Sequence, residues 1–442
     1  MQKKVMVGLI VPALFYILNY GLLKVPDNLI EIVMVTTITF MTMFVYGKTN
    51  DYLNPIVYFP ILYFLLYWVG DFDMGIGYKP ATQLMWWYYY LGLIGFYIGA
   101  LLISYVKVKP KSYIKTDWLS QDARCIFLAI YMVCILCKII TYRQYGIPML
   151  VSNVDATRQS IAEGTGLLKV LSSAHTILAV FYFYDLVSRI QNKQHFRFSN
   201  VLILLCSLFV SILDGSRLLI IQMVLPMFFI FILKVRKIKL KNIILIGVLL
   251  LIFISANKFI RNVIENPEYL AFVLSNRNSS LITNIWMSGF NSFRVAIEDL
   301  RRLIEIVPSE SGYTYGSMFM NSILTVLPGK QVVIGYYVAD LLGLSFDGMG
   351  AATTILGMFY LDGGPIMIFI GMFLFGVFVQ NNYKKYIQHQ NVCLYSLIGV
   401  YIIYYSVLCL RTNVMPTIEP LLCMFYFWAF SFIARCVRIG GK

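Results

Sequence analysis

"VLILLCSLFVSILDGSRLLIIQMVLPMFFIFILKVRKIKLKNIILIGVLLLIFISANKFI", Val201–Ile260, alternates three apolar runs with two interruptions of opposite character. The first is a turn of four residues, Asp214–Arg217, too short to hold anything but a reversal of direction. The second, Lys234–Lys241, places five basic residues in eight. A helix crosses the ~30 Å hydrocarbon core with about 20 apolar residues, and runs near that length recur along the whole chain. Consecutive membrane helices carry turns that alternate between lysine-rich and lysine-poor, because basic residues accumulate on the cytoplasmic side. The stretch therefore reads as successive spans, with Lys234–Lys241 inside and Asp214–Arg217 outside.

The rest of the chain has the same character. Of its 442 residues, 59% are hydrophobic and only 13% charged, and the mean hydropathy is +0.75. This is the composition of a polytopic membrane protein, outside the range of soluble domains. The net charge of +15 sits in short clusters that flank spans: Lys107–Arg124, Arg189–Arg197, Lys234–Lys241, Tyr383–Tyr386 and the C-terminal Arg435, Arg438 and Lys442. That distribution sets topology and excludes a nucleic-acid footprint. Eight cysteines are scattered, nearly all in apolar runs. Cys134 and Cys137 form a CxxC on one helix with no second pair nearby, which reads as buried thiols and not as a metal site.

Spans are expected at about 5–23, 29–46, 53–70, 84–106, 125–142, 167–187, 200–213, 218–233, 242–260, 364–381, 392–410 and 420–434. The first contains Pro12 and Asn19 and lacks a small-residue cleavage site, so it reads as a retained span. Twelve spans put both termini in the cytoplasm together with every Lys-rich loop. The expected fold is thus all-α and polytopic. It comprises spans 1 to 9 within residues 1–260, one large external loop over 261–363, and spans 10 to 12 within 364–442. A loop of that length is usually functional. Within it, Asn291–Val307 places Phe293, Ala296, Leu300, Leu303 and Ile304 on one helical face, and Gly350–Leu361, closed by Asp362-Gly363-Gly364-Pro365, reads as a re-entrant half-helix. Gly92, Gly95 and Gly99 are spaced for close packing of a neighbouring helix.

Arginine and lysine divide by side. The cytoplasmic side carries fifteen Lys and six Arg, whereas the outer side carries six Lys and nine Arg. Outward-facing positive charge works against the orientation signal and needs another reason. Guanidinium groups bind phosphate oxygens bidentately and stay charged, so a phosphate-bearing ligand on the outer face is one reading. Pairing with Glu298, Asp299, Glu305 and Glu310 is the other, and it suits Arg294 and Arg302, which stand beside those acids. Arg217, between spans 7 and 8, and Arg411, between spans 11 and 12, sit in short turns at the membrane where an ionisable group is costly. Asp214 could neutralise Arg217.

Soluble-enzyme motifs are missing: there is no HExxH, no GxSxG and no Walker loop. The three histidines, His175, His195 and His389, all lie outside the large loop. Chemistry on the outer face would need a carboxylate base, or positioning and charge stabilisation of a leaving phosphate. Asp214 and Glu419 are the catalytic candidates. No metal or other cofactor is expected.

Four motifs carry a family resemblance: "YGIPMLVSNVDATRQSIAEGTG" (Tyr145–Gly166), "DGSR" (Asp214–Arg217), "GYTYGSMFMNSILTVLPGK" (Gly312–Lys330) and "GMGAATTILGMFYLDGGP" (Gly348–Pro365). In this order they resemble the Wzy-type polymerases of O-antigen or other oligosaccharide repeat units, over roughly residues 140–380. The resemblance implies a membrane-embedded glycosyltransferase of the C type. Such an enzyme joins repeat units carried on undecaprenyl diphosphate at the outer face of the bacterial plasma membrane. Carried over motif by motif, Arg158, Arg217 and one of Arg301 and Arg302 would contact the diphosphate, as would Arg411 on its own placement. The pair Arg301 and Gly312 fits an Arg-x10-Gly pattern described for the family. Tyr313 and Tyr315 would stack on sugar rings, and the resemblance allows a chain-length regulator as a further partner. An O-antigen ligase shares the architecture but is associated with an outer-loop histidine. A lipid-linked oligosaccharide flippase or transporter would show two similar halves, and none is read here.

Overall fold

The computed structural model describes residues 11–17, 29–70, 81–105, 121–151, 166–195, 197–215, 217–235, 281–324, 334–344, 350–388, 393–412 and 419–440, with single residues and pairs between 157 and 268. All regular structure among them is helical. The helices are α1 (Leu29–Thr49), α2 (Pro55–Gly70), α3 (Gln83–Tyr105), α4 (Gln121–Tyr145), α5 (Gly166–Gln191), α6 (Phe198–Leu213), α7 (Arg217–Val235), α8 (Leu281–Ile306), α9 (Ser317–Leu324), α10 (Ile334–Leu341), α11 (Thr354–Gln388), α12 (Cys393–Arg411) and α13 (Glu419–Gly440).

Among the described residues, five segments are long and apolar enough to cross a membrane: Leu29–Thr49, Gln83–Tyr105, Ala123–Leu150, Thr354–Gln388 and Leu394–Arg411. The chain is a helical, multi-pass membrane protein on this ground. The twelve expected spans are not all of this kind. Pro55–Gly70, Phe198–Leu213, Leu219–Ile232 and Cys423–Ala434 are apolar but shorter. The α5 helix has 26 residues yet buries His175 and Asp185 in its interior. Expected span 242–260 and most of 5–23 lie outside the described residues.

The core is built on α3 and α11, which share the most extensive contact in the molecule. Glycine makes it. A Cβ at Gly95 would lie 2.6 Å from the Phe369 carbonyl oxygen, and one at Gly99 would overlap the Phe373 carbonyl oxygen. The reverse holds for Gly376, where a Cβ would overlap the carbonyl oxygen of Phe96. Backbones meet without side chains between them, as in other small-residue helix interfaces. Aromatic rings of α2 and α3 continue the core, with Tyr67 and Tyr89 stacked at 3.9 Å.

Polar contacts gather the helix ends into two sets. At one end α8 lies over the close of α2, where Ile297 meets Gly70, and over the start of α11. At the other, Tyr383 of α11 donates to Asp51, and Lys384 donates to the Ile103 carbonyl of α3. About twenty residues of α11 separate these sets, close to the ~30 Å that a membrane span requires.

Candidate functional site

The site grows from α8. Its stripe of Ala296, Leu300 and Leu303, each at most 1% exposed, is the apolar face that seats the helix on the bundle. Ile304 packs beside it, and the side chain of Phe293 is outside the described residues. Asp299 stands on the same stripe, one turn from Ala296 and one from Leu303, and is 4% exposed. Its Oδ2 accepts the Ala352 amide at 3.3 Å, tying α8 to the small-residue lead of α11. Arg302 and Arg411 act electrostatically on this carboxyl, as does Glu298. Burial is the largest influence and pushes the Asp299 carboxyl up to about 6, against the lowering effects of the Ala352 amide and the two arginines. A carboxyl at that value exchanges protons near neutrality, as a general base requires.

The neighbouring arginines are used unequally. Arg301 is 8% exposed and its guanidinium is occupied on both sides, by Glu298 through Nε at 2.9 Å and by Glu305 through Nη1 at 2.5 Å. This ion pairing holds the Arg301 charge up and the Glu298 carboxyl down. Of the two arginines, one of which is expected on a diphosphate, Arg301 is the one engaged within α8. Arg302 keeps one bond, from Nε to Glu298 at 3.1 Å, and its side chain is 45% exposed. Arg411, the last residue of α12, reaches the same locality from the opposite side of the sequence.

The Gly350–Pro365 segment is a true break in α11. Thr354–Asp362 forms a half-helix buried at every residue, followed by non-helical backbone at Gly363 and Gly364. Gly364 has φ +66, and a Cβ there would meet the Tyr313 hydroxyl at 2.7 Å. Asp362, 2% exposed, faces the Gly312 stretch and gathers it: Oδ1 accepts from Thr314 Oγ1 at 2.5 Å, from the Gly316 amide at 3.1 Å and from the Met318 amide at 3.3 Å, while Oδ2 accepts from the Phe319 amide at 3.3 Å. It thereby caps the start of α9. Above this lock the rings of Tyr313, Tyr315 and Tyr360 sit edge to face, at 6.4 Å and 6.1 Å from Tyr313, and Tyr88 adds a fourth at 5.6 Å from Tyr360. Tyr315 is 84% exposed.

Asp214 has a different environment from the one expected. It caps α6 and pairs with Lys138 of α4 at 2.7 Å, and Tyr142 donates to its Oδ1 at 2.8 Å. Lys138 thus supplies Asp214 with a counter-charge across α4 and α6. Buried His175 is close enough to feel both charges. Arg158 and the side chains of Arg217 and Glu419 lie outside the described residues; the latter two positions begin α7 and α13. Cys134 and Cys137 are buried and unbonded.

Sequence reading missed Asp299 as more than an ion-pair partner. The signal was present: one acid on the apolar stripe of an otherwise amphipathic helix. The bond to Ala352 and the proximity of Arg411 carry no local sequence signal.

Comparison with family models, with curated proteins and with solved structures finds no match. The site therefore has to be read from its own geometry.

Proposed function

We propose that this protein is a membrane-embedded glycosyltransferase that polymerises oligosaccharide repeat units carried on undecaprenyl diphosphate, at the outer face of a bacterial plasma membrane. The observation that carries the reading is buried Asp299, under the electrostatic influence of Arg411 and Arg302 and bonded to the Ala352 amide in the small-residue lead of α11, with a tyrosine cluster over the break in that same helix. A guanidinium, a titratable carboxyl and neutral aromatic faces are the three chemistries that glycosyl transfer from a lipid diphosphate needs.

In the proposed step, an acceptor hydroxyl oxygen attacks the anomeric carbon of the growing chain. The bond from that carbon to the diphosphate breaks, and the diphosphate leaves with the electron pair. Arg411, with Arg217 and Arg158, would hold and stabilise the departing charge. The hydroxyl proton passes to Asp299. Arg302, half exposed at the rim, has a free face for the incoming donor.

The test uses purified protein in a bilayer with synthetic lipid-diphosphate repeat units, with products resolved as a ladder. Arg411→Lys keeps the charge but loses the bidentate fork. It should slow extension at least about tenfold, since a hydrogen bond to a charged group contributes ~1.5–3 kcal/mol. Full ladders from that variant, or no extension by the parent protein on any lipid-diphosphate unit, would reject the proposal.

A further inference from the structure

At the opposite end of the bundle from Asp299, α4, α5 and α6 enclose a second concentration of charge. Arg124 of α4 is 7% exposed. Its Nη2 donates to Asn200 Oδ1 at 2.6 Å, while its Nη1 lies 3.3 Å from Asp185 as an ion pair without a hydrogen bond. Arg189 also uses Asp185, through Nε at 3.0 Å. Two guanidinium groups thus share one carboxylate. Arg197 stands just before α6 and has no side-chain partner among the described residues. Among the described side chains, three arginines stand against one aspartate at this corner, an excess of positive charge.

A cavity of about 210 Å³ opens here, lined by Arg124, Arg197, Tyr182 and Ser199 on its polar side and by Leu128 and Ile203 on its apolar side. It also lies at the start of α6, a helix with no side-chain cap, whose first amides and dipole favour an anion. Next to it the outward faces of α4 and α6 are greasy: Leu128 is 45% exposed, Leu202 51% and Leu205 59%. In a membrane protein such faces meet acyl chains.

We propose that this cavity is a site for the phosphate headgroup of an anionic membrane phospholipid, with Arg197 and Arg124 on the phosphate and the acyl chains along α4 and α6. An uncapped helix start, a buried guanidinium nitrogen that makes no hydrogen bond and an arginine without a side-chain partner among the described residues converge on one space. The apolar walls beside it suit a lipid and offer nothing to a free ion. Basic pockets between membrane helices bind lipid headgroups by this chemistry. The inference rests on the multi-pass membrane character alone and is independent of the glycosyltransferase reading.

The experiment compares the full-length protein, delipidated in neutral detergent, after addition of phosphatidylglycerol, phosphatidylcholine or inorganic phosphate. Thermal unfolding and native mass spectrometry report stabilisation and retained lipid. Phosphatidylglycerol should stabilise and be retained at least about tenfold more tightly than phosphatidylcholine, and Arg197→Gln should remove that preference. Among the described residues Arg197 makes no side-chain hydrogen bond or ion pair that its loss would break, so the variant should fold. Lys237→Gln, which removes a charge from the Lys234–Lys241 loop, serves as the control and should leave the preference intact. Equal retention of the two lipids, an unaffected Arg197→Gln, or equal loss in Lys237→Gln would overturn the site. Stabilisation by inorganic phosphate equal to that by phosphatidylglycerol would overturn the lipid and leave an anion site.

Discussion

Asp299 is subject to two opposed influences, burial that favours its neutral form and the Arg302 and Arg411 charges that favour its ionised form, and burial is the larger. The consequence can be measured. An unfolded aspartate titrates at 3.8 and the folded one at about 6, so between those values the folded protein binds a proton that the unfolded chain does not. Stability from this group is therefore present at low pH and is lost as pH rises through 6. The full displacement corresponds to at most about 3 kcal/mol. Asp299→Asn keeps an acceptor for the Ala352 amide and removes the titration, so it should melt higher than the parent at pH 7.5 and close to it at pH 4.5. A gap between the two melting temperatures that stays constant with pH would show that Asp299 is not the titrating group. Tyrosines divide in the same residue-level way. Tyr313 lies over Gly364 and supports the break, whereas Tyr315 is 84% exposed with its ring edge to face with Tyr313. Tyr315→Ala should leave melting unchanged and slow chain extension severalfold without weakening donor binding, since a stacked ring contributes ~0.5–1.5 kcal/mol beyond its buried area. Weakened donor binding in that variant would merge the two roles.

Between elements, the decisive contact is α3 on α11. Gly99→Ala places a methyl into the Phe373 carbonyl, a backbone atom that cannot move aside, and should destabilise by about 1–3 kcal/mol as overpacked cores do. Gly312→Ala is the matched control, with nothing within 4 Å of its Cβ, and should change the melting temperature by less than a degree or two. Equal melting of both variants would mean that the two helices are not packed this closely. This interface was legible in the sequence, because a glycine spacing on one helix face is a local pattern that states its own purpose. The break at Gly363-Gly364 was legible for the same reason. The Lys138–Asp214 pair and the electrostatic influence of Arg411 on Asp299 were not, since each joins helices far apart in sequence and only the packed bundle brings them together. Asp362 was half legible: its turn could be read, but its role as acceptor for the Gly312 stretch could not. Arg301 shows the limit from the other side. The Arg-x10-Gly spacing drew it toward a ligand, while Glu298 and Glu305, one turn before and one turn after, hold it within α8.

At the scale of the whole molecule, the structure supplies an axis and the charge pattern supplies its direction. One end of the bundle carries α8, the Ala352 lead and Arg411; the other carries Asp51, Ile103 and Lys384. Because α11 runs between them over about a membrane thickness, a marker after α8 and a marker after α3 must lie on opposite sides. By the positive-inside rule the lysine-rich loop that follows α3, Lys107–Lys115, is expected on the cytoplasmic side. Reporter fusions should accordingly read cytoplasmic at Lys111, Lys237 and Gly440 and external at Glu310. The positions separate two kinds of failure. If Lys111 and Glu310 read on opposite sides but reversed, the axis is right and the basic loops do not orient it, and a site at α8 could not serve a ligand delivered to the outer face. If they read on the same side, α11 does not span, and the meeting of Asp299 with Arg411 would have to be formed in some other arrangement of the bundle. Agreement at all four positions would put the Asp299 and Arg411 end outside. That is where a lipid-diphosphate polymerase must work, and where acceptor sugars can reach the exposed Tyr315.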